Sequence, residues 1–148
     1  MALVRFALTC PDLHPDHPRR LLNEAIWFWT ERGSPARKYR LRFRTPAALA
    51  LQHDLGLTQA AKQLAHEHVH ERAQVVARLK ETGADLAGVL RSAEACVVTR
   101  EEHRRLAEVA PATGWARYRK AGIHPIDMNS GQPMDLEAAI ASDSAIWG

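Results

Sequence analysis

The sequence predicts an α+β fold, predominantly helical with a few short strands, in a single domain over residues 1–148. Three observations support this prediction. Apolar residues recur at helical spacing in several segments that begin at capping residues or end before glycine. A period-two alternation at 38–44 and a short apolar run at 95–98 are typical of strands. A chain of 148 residues is also long enough to bury a hydrophobic core without disulfides or metals.

Composition and cysteine content indicate the broad class. With 46% hydrophobic and 25% charged residues, the chain has the balance of a globular protein. It has no run of 18 apolar residues, so we predict no membrane segment and no membrane partner. We interpret the N-terminal stretch MALVRFALTC as mature protein, because it has an internal arginine and no signal-peptide cleavage site. Cys10 and Cys96 suit reduced thiols, with Cys96 buried and inert, so we expect a cytoplasmic location. The composition gives no indication of the oligomeric state.

The first predicted helix begins at His17-Pro18, where a proline suits the first turn, and ends before Gly33. Five apolar residues of this segment share helical spacing and are predicted to face the core: Leu21, Leu22, Ala25, Ile26 and Trp29.

A cationic strand is predicted next, in the stretch RKYRLRFRTP. Its aromatic and apolar residues alternate with four cations, which are Lys38, Arg40, Arg42 and Arg44. At about 3.3 Å per residue these cations lie on one face within roughly 20 Å. The face is either the solvated side of a charged edge strand or a surface that follows nucleic-acid phosphates.

Two helices are predicted directly after the cationic strand. Thr45 and Pro46 suit the start of a short alanine-rich helix, which Gly56 interrupts. Thr58 suits the cap of a long helix over 58–80, a segment without proline or glycine after the cap. In that helix His68 lies on the apolar stripe, His66 and His70 flank it, and Glu67 points away.

The C-terminal half is predicted to alternate short elements. The stretch TGADLAGVLRSAE predicts a turn and a helix, and ACVVT predicts a strand. Thr99 and Glu102 have capping-box spacing, which predicts a helix start. Gly114 and Gly122 bracket a short basic helix, IHPIDMNSGQPMD predicts a turn or hairpin, and DLEAAIAS predicts a terminal helix.

The densest cluster of potential ligands is His66-Glu67-His68-Val69-His70, which satisfies the H-E-x-x-H pattern of zinc peptidases. On a helix, this spacing sets His66 and His70 one turn apart to bind zinc. Glu67 is then the base that deprotonates a bound water, and His103 or a glutamate near it supplies a third ligand.

Two fragments give a second interpretation. The stretch VVTREEH at 97–103 resembles the final strand and helix of HNH (ββα-metal) nucleases, and EHV at 67–69 resembles the opening of their motif. The resemblance implies that Glu67 and His103 hold a divalent cation and that His68 is the general base of phosphodiester hydrolysis. A longer run, from AIWFWTERGS to GWARYRKAGI, also resembles a family of small bacterial proteins.

Charge favours nucleic acid over peptide as the partner, because the net charge is +3 and the cationic strand suits phosphates. We therefore expect a nuclease dependent on a divalent metal, which is Mg²⁺, Mn²⁺ or Zn²⁺. The alternative is a non-catalytic nucleic-acid-binding or interaction module that uses the cations at 38–44. A zinc peptidase is the third hypothesis. Against all three stands the interpretation of the histidine cluster as a polar helix edge without chemistry. No glycine loop for phosphates occurs, so no organic cofactor is predicted.

Overall fold

The computed structural model describes residues 1–31, 39–81, 83 and 85–147. Within these ranges eight helices and a five-stranded mixed sheet confirm the predicted α+β, helix-dominated fold. The helices are α1 (Ala2–Thr9), α2 (His17–Thr30), α3 (Pro46–Ala60), α4 (Arg72–Lys80), α5 (Leu86–Ser92), α6 (Arg100–Glu108), α7 (Gly114–Lys120) and α8 (Leu136–Trp147). The strands are β1 (Phe43–Arg44), β2 (Leu64–His68), β3 (Ala95–Thr99), β4 (Ile126–Asp127) and β5 (Gln132–Pro133).

The sheet has the strand order β2-β3-β1-β4-β5. β3 pairs antiparallel with β2 and parallel with β1, and the apolar run predicted at this strand is buried on both faces. In the β2–β3 register Glu67 lies opposite Cys96. The two ends of the 69–94 segment, which connects these strands, are hydrogen-bonded to each other: Val69 N donates to Glu94 O at 3.0 Å.

Three hydrophobic clusters hold the elements together. The first packs α6, α7 and α8 on one face of the sheet and includes Val69, Cys96, Leu106, Trp115 and Tyr118. The second packs α3 on the opposite face, through residues such as Leu64 and Val97. The third joins α1, α2, α4 and α5, so the connection between β2 and β3 is anchored on the N-terminal helices.

The predicted helix starts at Thr45 and Thr99 are both confirmed. Thr45 Oγ1 accepts from Ala48 N at 3.1 Å, and Thr99 forms a complete capping box with Glu102. Thr45 Oγ1 also donates to Glu102 Oε2 at 2.7 Å. The buried Glu102 carboxylate therefore joins the N-terminal ends of α3 and α6.

The prediction of one helix over 58–80 is wrong. The chain leaves α3 at Ala60, forms β2 and enters α4 only at Arg72. Pairing with β3 satisfies the backbone of β2, and this tertiary gain outweighs the weak helical preference of the segment. The change from helix to strand replaces a spacing of 3.6 residues by one of two, so it rearranges every side chain of the histidine cluster.

The predicted cationic strand is much shorter than the sequence pattern indicates. In the described part of this segment the strand is Phe43–Arg44, which lies inside the sheet between β3 and β4 rather than at an edge. Alternation is kept over 41–45, where Leu41, Phe43 and Thr45 are buried. Lys38 and the predicted helix end at Gly33 lie outside the described residues. None of the helices in the described ranges is long and apolar enough to cross a membrane.

Candidate functional site

Strand β2 presents Glu67 to the face of the sheet that α6 covers. The chain passes directly from β3 into α6, and this places His103 beside the edge strand β2. His103 Nδ1 donates to Glu67 Oε2 at 2.6 Å. The carboxylate is buried, whereas the His103 side chain is 54% exposed, so this Glu67–His103 pair has one protected and one accessible partner.

Arg117 of α7 holds the other side of the same carboxylate. Its Nη2 donates to Glu67 Oε1 at 2.5 Å and to the carbonyl oxygens of His68 at 2.9 Å and Val69 at 3.3 Å. The guanidinium thus fixes both the Glu67 side chain and the end of β2. Sequence reasoning missed this residue, because Arg117 is one of several cations in a short basic helix and nothing in its spacing distinguishes it.

The opposite face of β2 carries His66 and His68. Trp27 of α2 stacks on His66 with the ring centroids 4.5 Å apart. His66 Nε2 lies 3.3 Å from Thr30 Oγ1, and its Nδ1 lies 3.6 Å from Glu31 Oε1. The His66 side chain is only 3% exposed.

His68 belongs to this second face. Its ring lies 4.8 Å from that of His66 and 5.5 Å from that of Trp27. Burial, reinforced by neighbouring His66 and Arg72, lowers the pKa of His68 to about 3. The role of general base that the resemblance to HNH nucleases implies needs His68 beside Glu67 and His103, but strand alternation places it on the other side of the sheet.

His70 follows the end of β2 and lies in a third environment. Its ring stacks on Trp147 at 4.3 Å, and its Nε2 lies 3.1 Å from Asp143 Oδ2. The zinc-peptidase hypothesis needs His66 and His70 on adjacent turns of one helix, and residues 64–68 form a strand instead. His66, His70 and His103 therefore do not converge. Across the described residues, no group of three or more His, Cys, Asp or Glu side chains is arranged to hold a metal ion.

The arginines of the predicted cationic strand have mostly internal contacts. Arg42 forms a bidentate contact with Asp127, at 2.6 Å for the shortest distance, and lies 3.7 Å from Glu94. Arg44 donates to Leu41 O, and burial lowers its pKa from the ordinary value. Arg40 is exposed. Arg42 and Arg44 are thus both bonded to groups of the protein itself, although the Arg42 side chain is 48% exposed.

A cavity of about 470 Å³ lies elsewhere, between the sheet, α5 and α8. Arg42, Asp127 and Glu94 line it, and Trp115 Nε1 donates to Glu94 Oε2 at 3.3 Å. Neither Glu67 nor His103 contributes to its wall. A ligand of the Glu67–His103 pair would therefore bind at the protein surface and not in this cavity.

The Glu67–His103 pair supports two kinds of chemistry. A carboxylate that orients an exposed imidazole is an arrangement used in general acid–base catalysis. A carboxylate oxygen and an imidazole nitrogen are also donors suited to a divalent cation, provided that the proton shared by Glu67 Oε2 and His103 Nδ1 leaves. In comparisons with known proteins, no family model matches the sequence, and no curated protein or solved structure matches it either.

Proposed function

We propose that this protein is a nuclease that hydrolyses phosphodiester bonds with a divalent cation held by Glu67 and His103. The observation that carries the proposal is the 2.6 Å contact between Glu67 Oε2 and His103 Nδ1. These residues are 36 positions apart and come from different elements, yet their functional atoms meet beside an antiparallel strand pair followed directly by a helix. Two helices, α4 and α5, separate the paired strands along the chain, and β3 and α6 are the strand and helix that carry the resemblance to HNH nucleases.

The donor set suits a cation that keeps part of its water shell. Mg²⁺ and Mn²⁺ are commonly held by one or two protein side chains, with water and substrate phosphate as the other ligands. Glu67 Oε2 and His103 Nδ1 would supply one oxygen and one nitrogen in place of their mutual hydrogen bond, with the Nδ1 proton released to solvent, and Arg117 occupies the opposite carboxylate oxygen. When bound there, a divalent cation supplies electrostatic stabilisation of charge that develops on the phosphate.

The protein's own groups have separable roles in this proposal. Arg117 orients the Glu67 carboxylate, and Glu67 in turn orients the His103 ring. The exposed edge of His103 faces solvent and is within reach of a substrate phosphate. His68 stands apart from these groups, because its ring lies on the opposite face of the sheet against His66 and Trp27.

The proposal is tested by incubating the purified protein with labelled single-stranded DNA, duplex DNA and single-stranded RNA in Mg²⁺, Mn²⁺ or EDTA. We expect cleavage that requires the cation. His103→Asn should lower the rate by about 100-fold or more, since a ligand of the divalent cation is lost. Glu67→Gln should act in the same direction and also weaken Mn²⁺ binding.

His124→Asn is the matched control, because His124 is an exposed histidine outside the Glu67–His103 pair and its loss should leave cleavage unchanged. Circular dichroism of each variant verifies that folding is retained. Cleavage that is equally fast in EDTA would eliminate the cation and leave acid–base catalysis by His103. Binding of nucleic acid without any cleavage would instead identify a non-catalytic module.

A further inference from the structure

The exposed face of α6 carries a second cationic group next to His103. Arg100 precedes His103 by three residues, a spacing that places two side chains on one helix face with Cβ atoms about 5–6 Å apart. Helical side chains also lean towards the N-terminus, so the His103 ring is directed over the turn that carries Arg100. Arg100 and His103 are both exposed.

Arg100 differs from the next arginine of the same helix in its contacts. Arg104 is held by two carboxylates, since it donates to Glu101 at 2.6 Å and to Glu108 at 2.6 Å. The Arg100 side chain forms no ion pair or hydrogen bond with any residue in the described ranges. It is therefore a cation beside His103 whose charge is not neutralised by a partner in the described part of the chain.

The openness of this surface indicates the size of the ligand. Sites for small molecules are concave and enclose most of their ligand. His103 is 54% exposed, and the cavities of about 470 and 320 Å³ are lined by other residues. A polymer that lies across the surface needs no such enclosure, since contacts to successive phosphates hold it in place.

We propose that Arg100 binds a backbone phosphate of a nucleic-acid strand that lies across the exposed face of α6, adjacent to the phosphodiester at His103. The inference rests on the proposed nuclease function for the identity of that phosphodiester. Arg100 contributes binding and register: its guanidinium holds a phosphate of the strand while the Glu67–His103 pair faces the neighbouring one. Such contacts do not depend on base sequence.

The test measures binding in EDTA, so that cleavage does not interfere. A fluorescein-labelled dodecamer of single-stranded DNA, its RNA counterpart and the DNA duplex are titrated with wild type, Arg100→Gln and Arg104→Gln at several salt concentrations. Arg100→Gln should weaken binding at least fivefold and reduce the slope of log K against log salt by about 0.7–0.9, the loss of one phosphate contact. Arg104→Gln is the matched control and should change the slope by much less, because Glu101 and Glu108 already neutralise that arginine.

Equal effects of the two substitutions would overturn the inference, because they would show a general loss of charge rather than a contact at Arg100. Absence of binding to all three oligonucleotides by the wild type would overturn it as well. The cleavage assay with Mg²⁺ or Mn²⁺ separates this inference from the function. If the wild type binds through Arg100 but does not cleave, the nuclease proposal fails and the Arg100 contact stands.

Discussion

Glu67 and His68 are consecutive residues of β2, yet their side chains lie on opposite faces of the sheet. Glu67 meets His103 and Arg117 on the face that α6 and α7 cover, whereas His68 packs with His66 and Trp27 beneath α2. One strand therefore contributes to two environments, a partly exposed ionic one and a buried aromatic one. The buried environment around His68 makes the stability of the fold sensitive to acid.

We expect the free energy of unfolding to fall as the pH is lowered from about 6.5 towards 3, because the buried His68 resists protonation. An unfolded chain protonates this histidine near its ordinary pKa of about 6.5. In the folded protein, burial holds the pKa of His68 at about 3, so the stability that depends on a neutral ring is present above 6.5 and is lost on acidification. The loss is up to ~1.4 kcal/mol per pH unit.

Urea denaturation of the wild type and of His68→Gln across this pH range measures the effect. The variant should have a shallower decline in the free energy of unfolding, while His124→Gln, at an exposed site, should follow the wild type. Parallel curves for wild type and His68→Gln would refute the prediction.

Glu102→Ala should destabilise the protein by about 2–3 kcal/mol. The substitution removes the acceptor for Thr99 N at 2.8 Å and leaves the fully buried Thr45 hydroxyl without its acceptor. Glu101→Ala, one position earlier on α6, removes only an exposed ion pair with Arg104 and should cost about 0.5 kcal/mol or less. Thermal and urea denaturation provide the comparison, and equal costs for the two variants would show that the buried network is not what stabilises the helix starts.

Gly114→Ala should destabilise the protein more than Gly131→Ala does. Both glycines have positive φ, +58° and +69°, so alanine is strained by about 1–2 kcal/mol at either position. At Gly114 the new methyl carbon would also lie 2.6 Å from His70 Cε1 and 2.5 Å from Asp143 Oδ2, whereas at Gly131 it meets nothing within 4 Å. The additional crowding should cost about 1–3 kcal/mol. If urea denaturation gives the same loss for both variants, His70 and Asp143 do not pack against α7 as described.

The two cysteines should differ in reactivity towards a thiol reagent. Cys96 is fully buried, and burial raises the pKa of its thiol well above the ordinary value, so the reactive thiolate is scarce. Cys10 is partly exposed at the end of α1. Reaction with Ellman's reagent should release one equivalent from the native protein and two in denaturant, with peptide mass spectrometry assigning the native one to Cys10. Rapid native modification of Cys96 would contradict the position of β3 in the core.

Local sequence signals predicted much of this fold. The caps at Thr45 and Thr99 and the turn between β4 and β5 depend on interactions between residues close in sequence, and all are found where the sequence indicates. The burial of Cys96 was also predicted correctly from the short apolar run in which it lies.

Local sequence signals did not predict strand β2, because its partner β3 lies about 30 residues further along the chain. An apolar spacing without proline or glycine fits a helix when that partner is unknown. The same limit applies to the site. The resemblance to HNH nucleases pairs Glu67 with His103, and the structure brings them into contact, but Arg117 enters from a helix whose packing no local pattern encodes.

The hydrogen bond from Val69 N to Glu94 O closes the 69–94 segment directly beside the β2–β3 pair. The length of this segment can therefore change without a change in the register of the two strands. Residues added to or removed from the exposed turn at Gly83 change the number of residues between β2 and β3. They do not shift Glu67 from its position opposite Cys96. Lengthening such a loop is inexpensive, at about 0.6 kcal/mol for each doubling. Relatives of this chain are therefore expected to vary in length at this turn, while the spacing from β3 to His103 stays constant.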